Sequence, residues 1–195
     1  GQTSALYFIF RLVASLSGFA ATLYIARLLG ASPLGVYHLA IGVVSWLGIV
    51  SKVGVSGAVS KRVSEGEDQG AYALAGTIIV AVLFIVVTVG VLLFRSRVDA
   101  YVGHPDAAVF VVLILLLVVI SSVVNALLSG LHLVHVQGFL SPIKTGSRGV
   151  FQIAAVATSL GVTGLFLGHL AGVGLAAVIG LYVVSRHLSI TDLPD

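Results

Sequence analysis

From Ala107 to Ile143 the chain contains no lysine, arginine, aspartate or glutamate, and its first part, AAVFVVLILLLVVISSVVNALLSG, is apolar on nearly every side. A helix that is hydrophobic all round is either deep in the core of a large protein or inside a membrane. About 20 apolar residues suffice to cross a bilayer's hydrocarbon region. A spanning helix over about 107–130 follows.

The rest of the chain repeats this pattern. Charged residues are 9% of the sequence, hydrophobic ones 58%, and the mean hydropathy is +1.17. Soluble domains carry about 25% charged residues, so most of this chain faces lipid or other apolar helices. The stretch Ala5–Leu29 would be about 37 Å long as a helix, enough to cross with some tilt. It is too long for a secretory leader, holds Arg11, and lacks a small-residue cleavage site ahead of polar sequence. Apolar windows predict spans at about 5–29, 35–59, 71–94, 107–130, 139–161 and 164–186. The expected fold is therefore all-α: a polytopic membrane protein, one bundle of six transmembrane helices over 1–195.

Turn chemistry supports these breaks. Ser32 and Pro33 suit the cap and first position of a second helix. Residues 61–70 and 95–106 read as polar loops, and Gly161–Gly164 leaves room only for a tight hairpin. Cations near helix ends set orientation. Lys52, Lys61, Arg62, Lys144, Arg148 and Arg186 fall on one side and Arg27, Arg95 and Arg97 on the other, which predicts both termini in the cytoplasm. In the last span Gly164, Gly168, Gly172, Ala176 and Gly180 recur every fourth residue, a ridge that lets another helix approach closely.

Several function classes are disfavoured. The net charge of +3 comes from scattered cations without interleaved aromatics, so no nucleic-acid partner is expected. Without cysteine there is neither a disulfide nor a thiolate metal site. His132 and His135 stand three apart and the other histidines are scattered, so they read as interfacial packing, with no metal and no cofactor. There is no paired-carboxylate motif, glycine-rich phosphate loop or Ser/His/Asp set, and an enzyme is not expected.

The polar residues inside the spans carry the functional reading. A charge at the bilayer centre costs at least a few kcal/mol and usually faces an interior cavity. Arg11 shares a face with Ser15, Gly18 and Thr22; it either points into a cavity or snorkels to the headgroups. The fourth span carries Ser121, Asn125 and Ser129 at i, i+4 spacing with Ser122 beside them, a stripe for interhelical bonds or for a hydrated path. The fifth opens with Ser141-Pro142 and continues through Lys144, Arg148, Gln152 and Ser159 on one face, Arg148 lying at a depth like that of Arg11. Cations converging on one cavity suit a phosphate, which guanidinium binds in bidentate fashion. Arg11, Lys52, Asn125, Arg148 and Gln152 are the candidate substrate-binding residues. All seven acidic residues lie in predicted loops or the tail, which argues against a cation-coupled pump and for an anionic cargo.

Ala26-Arg27-Leu28-Leu29-Gly30 followed by Pro33-Leu34-Gly35-Val36-Tyr37 resembles the first-helix junction of polysaccharide flippases in the multidrug/oligosaccharidyl-lipid/polysaccharide exporter superfamily. Ser60–Gly66 resembles that family's connection between helices two and three, and Asn125–Gly130 with Pro142 its helix four–five junction. The resemblance implies two six-helix lobes that rock between inward-open and outward-open states in the cytoplasmic membrane. It implies a polyprenyl-phosphate-linked saccharide as cargo, with membrane lipid and a second lobe as partners. By position, Arg11 would meet the phosphate. Six spans stand where twelve or more are expected, so the chain reads as the N-terminal half of a twelve- to fourteen-helix protein or as a pairing half-transporter. The alternatives are a cation-coupled multidrug or metabolite antiporter of the same superfamily and a non-transporting membrane scaffold.

Overall fold

The computed structural model describes residues 2–51, 54–65 and 68–187, with the side chains of residues 2–7, 10, 11 and 14 outside the description. Among the described residues the chain forms eight helices and no strand: α1 Gln2–Leu29, α2 Ala31–Val50, α3 Val55–Ser64, α4 Gln69–Leu93, α5 Arg95–Val102, α6 Ala107–Gly130, α7 Val134–Ala157 and α8 Gly161–His187. Four of them, α2, α4, α6 and α8, are long and apolar enough to cross a membrane. α1 and α7 match these in length at 28 and 24 residues, and the apolar run Ser15–Leu29 lies in α1. The chain is thus an all-helical, multi-pass membrane protein.

Close contacts at small residues fix how the helices run. Gly18 meets Thr145 and Ala21 meets Gly149, so α1 and α7 are parallel. Gly164 lies against Ala155, Gly168 against Gln152 and Gly172 against Arg148, so α7 and α8 form an antiparallel hairpin. Gly174 and Gly180 follow Leu117 and Val124 along α6, making α8 and α6 parallel. The start of α1 and the end of α8 therefore lie at one end of the bundle. The expected glycine ridge is present: a Cβ at Gly168 or Gly172 would fall on the backbone of α7.

α6 is the central helix, packed by α2, α3, α4, α5, α7 and α8. Its Val111, Ile114 and Leu115 join Tyr37, Val44 and Phe166 in one buried cluster, and its Leu127 and Leu128 join Val59, Val63 and Val184 in another. α4 shows its outer face, Ile78, Ile79, Val82, Ile85, Val86 and Val89, to the surroundings. A row of exposed branched apolar side chains is what a lipid-facing helix presents.

Several boundaries differ from expectation. The second span is not continuous over 35–59. α2 ends at Val50, and Gly54, at φ +71, turns the chain into the separate α3. α3 then takes up Lys61 to Ser64 from the expected 61–70 loop. Gly30, at φ +82, ends α1, so α2 begins at Ala31 and Ser32 makes no cap bond. Pro33 is tolerated there because the first-turn N–H groups have no helical partner. The 95–106 loop contains α5, which closes that end of the bundle. Asp99 accepts the Ala108 N–H at 2.7 Å, Arg95 pairs with Asp99 and with Asp106 at 2.9 Å, and His104 bonds Thr163. α7 starts at Val134 rather than 139 and runs through Pro142, while Ser159 (φ +63) sits in the turn to α8.

Candidate functional site

The later start of α7 moves its polar residues relative to the membrane. Arg148 is 14 residues from Val134, nearly four turns in and not one and a half. Lys144 lies a turn below it. Both therefore leave the count of helix-end cations on which the orientation rested.

At the level of Lys144, α6 and α7 separate and leave a cleft made of two adjoining cavities. The larger, about 710 Å³, has an apolar wall of Val124, Val134, Phe139, Leu140, Ala176 and Ala177. The smaller, about 370 Å³, has a hydroxyl wall of Ser56, Ser60, Ser122 and Ser129, opened by Gly57. Ser121, Asn125, Gln137 and Lys144 line both and form the partition. Both volumes fall in the range of small-molecule sites, roughly 300–1,000 Å³.

Helix spacing brings these residues together. Ser121, Asn125 and Ser129 repeat every fourth residue along α6, and Gln137, Ser141 and Lys144 follow at helical spacing on α7. Pro142 cannot donate to the carbonyl of Gly138, and Gly138 itself lines the larger cavity. Irregular backbone at membrane depth is tolerated where it borders a cavity. Some of the polar groups bond one another: Ser56 to Ser122 at 3.0 Å, and the Ser129 hydroxyl donates to Gln137 Oε1 at 3.1 Å. Ser60, Ser121 and Asn125 find no hydrogen-bond partner among the described residues. The α6 stripe thus bonds to neighbouring helices and also lines the two cavities.

Above the cleft lies a second polar group. The Tyr37 hydroxyl and His169 Nδ1 share a buried hydrogen bond of 2.7 Å between α2 and α8. Gln152 Nε2 donates to the Leu165 carbonyl at 3.1 Å. Arg148, one turn before Gln152 on α7, has its backbone against Gly172 of α8, a turn from His169. The Arg148 Nε is buried without a hydrogen-bond partner among the described residues.

The five sequence candidates are therefore distributed. Asn125 lines the cleft. Arg148 stands one turn above Lys144, and Gln152 a further turn up, bonded to α8. The Arg11 side chain and Lys52 lie outside the described residues. The parallel register of α1 on α7 sets Arg148 level with residues 20–21 of α1. Along the axis that is about 14 Å beyond the Arg11 backbone, so the two do not share a depth. Gln137, ahead of the expected fifth span, is a lining residue outside the five candidates; its i−4 and i−7 spacing from Ser141 and Lys144 is the signal in the sequence that points to it. Ser56, within the expected 35–59 span, and Ser60, just beyond it, are further lining residues that carry no such signal. His169 is buried against Tyr37 rather than packed at the interface.

The chain is similar to the probable low-salt glycan biosynthesis flippase Agl15 of Haloferax volcanii, with 29% identity over 167 residues. The match covers 85% of this chain and 35% of that relative, so the chain spans about a third of its length. The similarity bears out the resemblance to polysaccharide flippases carried by residues 26–37, and an N-terminal lobe is consistent with it. No protein-family model and no solved structure matches the chain.

Proposed function

We propose that the chain forms the first lobe of a flippase that moves a polyprenyl-phosphate-linked oligosaccharide across the cytoplasmic membrane by alternating access. The lobe spans six times, through α1, α2, α4, α6, α7 and α8, and works with a second lobe. No covalent chemistry is involved. The observation that carries the reading is the cleft: neutral hydrogen-bonding side chains around Lys144, with no carboxylate among the lining residues, inside a largely apolar bundle. The similarity to a protein named as a glycan biosynthesis flippase supports it.

Magnitudes favour an anionic cargo. A cation at the membrane centre costs about 2.5–3.5 kcal/mol on insertion scales, whereas an interhelical hydrogen bond returns only about 0.6 on average. Hydrogen bonds to charged groups contribute about 1.5–3 kcal/mol. A phosphate in the cleft beside Lys144, one turn below Arg148, gains charge-assisted bonds of that size. The cation-coupled antiporter is disfavoured because no described carboxylate lies within a long helix: Glu65, Asp68 and Asp106 flank helices and Asp99 lies in the short α5; Glu67, Asp192 and Asp195 lie outside the described residues.

The test is flipping of a fluorescent prenyl-phosphate-linked saccharide in proteoliposomes carrying the full-length protein. Lys144→Gln and Arg148→Gln are each expected to lower the rate at least about ten-fold, a loss of ~1.4 kcal/mol. Absence of flipping by the unaltered protein, or full rates in both variants, removes the reading.

A further inference from the structure

The two cavities meet along one partition but have opposite chemistry. We infer that the cleft is a bipartite site for a phosphodiester amphiphile: a sugar residue in the serine-walled cavity, the first isoprene units in the apolar-walled one, and the joining phosphate on the Lys144–Asn125 partition. The assignment rests on the flippase reading for the class of cargo; the division of labour comes from the walls themselves.

Three observations carry it. First, the smaller cavity is lined by hydroxyls from two helices, Ser56 and Ser60 of α3 and Ser122 and Ser129 of α6. A sugar ring offers a donor and an acceptor at each hydroxyl, and a serine can answer with either. The volume of about 370 Å³ is enough for a sugar ring. Second, the wall of the larger cavity contributes no hydrogen-bonding group apart from the partition, His135 and Ser141. A sugar placed there would leave its hydroxyls without partners, while an isoprenoid chain exchanges lipid for an equally apolar wall and leaves no polar group unmet. Third, the side chains common to both cavities are Ser121, Asn125, Gln137 and Lys144. The boundary between two dissimilar halves therefore holds the positive charge together with hydrogen-bond donors, and in a phosphodiester amphiphile the negative charge lies at the junction of sugar and lipid.

The experiment measures binding of three probes to the full-length protein in nanodiscs: a sugar 1-phosphate, a short-chain prenyl phosphate, and the prenyl-phosphoryl sugar that joins them. Gly57→Leu fills the serine cavity from a position whose new Cβ meets nothing within 4 Å. It is expected to weaken both sugar-bearing probes at least about ten-fold and leave prenyl phosphate within about two-fold. Ala177→Phe and Val134→Asp alter the apolar cavity and are expected to weaken both prenyl probes and spare the sugar phosphate. Val134 is 60% exposed, so that variant reports even if Ala177→Phe does not fold. Lys144→Gln is expected to weaken all three probes. If both sets of variants weaken every probe alike, or Gly57→Leu spares the joined probe, the division is wrong. The expected split in a protein that does not flip lipid leaves the bipartite site standing and removes the transport reading. Flipping retained without the split removes the division alone.

Discussion

At single residues, the structure separates glycines that are required from glycines that are tolerated. The backbone of α7 lies where a Cβ at Gly172 would stand, and backbone cannot rotate aside as a side chain can. Gly172→Val is expected to destabilise the bundle by about 1–3 kcal/mol or more, read as a lower thermal midpoint in detergent. Gly42→Ala meets nothing within 4 Å and should leave the midpoint unchanged or raise it. The ridge was legible in advance because residues every fourth along a helix share a face. The Tyr37–His169 bond was not, since its partners are 132 positions apart and neither residue type announces the other. Tyr37→Phe leaves a buried ring nitrogen unpaired and should cost about 1–3 kcal/mol. His169→Phe alone should cost similarly, and the double variant should cost less than the sum. Additive losses in that double-mutant cycle would mean the bond contributes nothing.

At the level of elements, the sequence separates well where polarity changes abruptly and poorly where backbone geometry decides. α6 has the predicted bounds because Asp106 and the Gly130 turn flank an unbroken apolar run. The predicted second span failed because Gly54 adopts a left-handed conformation between two stretches of similar polarity. α5 was hidden in a loop of ordinary composition, yet Asp99 at its centre caps α6 through Ala108 and pairs with Arg95. Asp99→Ala is therefore expected to cost about 0.5–2 kcal/mol, the usual weight of a helix cap, and to speed amide exchange in the first turn of α6. By contrast, Arg62 and Glu65 form an exposed pair at 3.0 Å, and Glu65→Ala should change stability by less than about 1 kcal/mol. Unchanged exchange in Asp99→Ala would show that α5 closes that end by packing alone.

Over the whole molecule, the parallel and antiparallel contacts put the start of α1 and the end of α8 at one end, with Lys61, Arg62 and Arg186. The opposite end carries Arg27, Arg97 and an Arg95 held between Asp99 and Asp106. With Lys144 and Arg148 inside the bundle, the positive-inside bias narrows, and the expected cytoplasmic placement of both termini calls for a direct test. These 195 residues contain no cysteine, so a single substitution gives this lobe one thiol. Ser64→Cys and Ser185→Cys should react with a membrane-impermeant thiol reagent from the cytoplasmic face, and Ser96→Cys from the opposite one. The reverse labelling would invert the lobe.

Hydropathy is a local property, summed over some 20 neighbouring residues, and for that reason the amino-acid sequence alone determined the membrane environment, the all-helical class and the glycine face of the last helix. Convergence is not local. Whether Asn125 meets Lys144, and whether Arg148 shares a level with Arg11, depends on where α7 begins and how α1 and α8 register against it. Those offsets are set by interlocking of small residues on different helices, and a shift of one turn moves a side chain about 5.4 Å along the axis. Only the tertiary structure could therefore decide which of the polar residues form the cleft and which, like Gln152, tie one helix to the next.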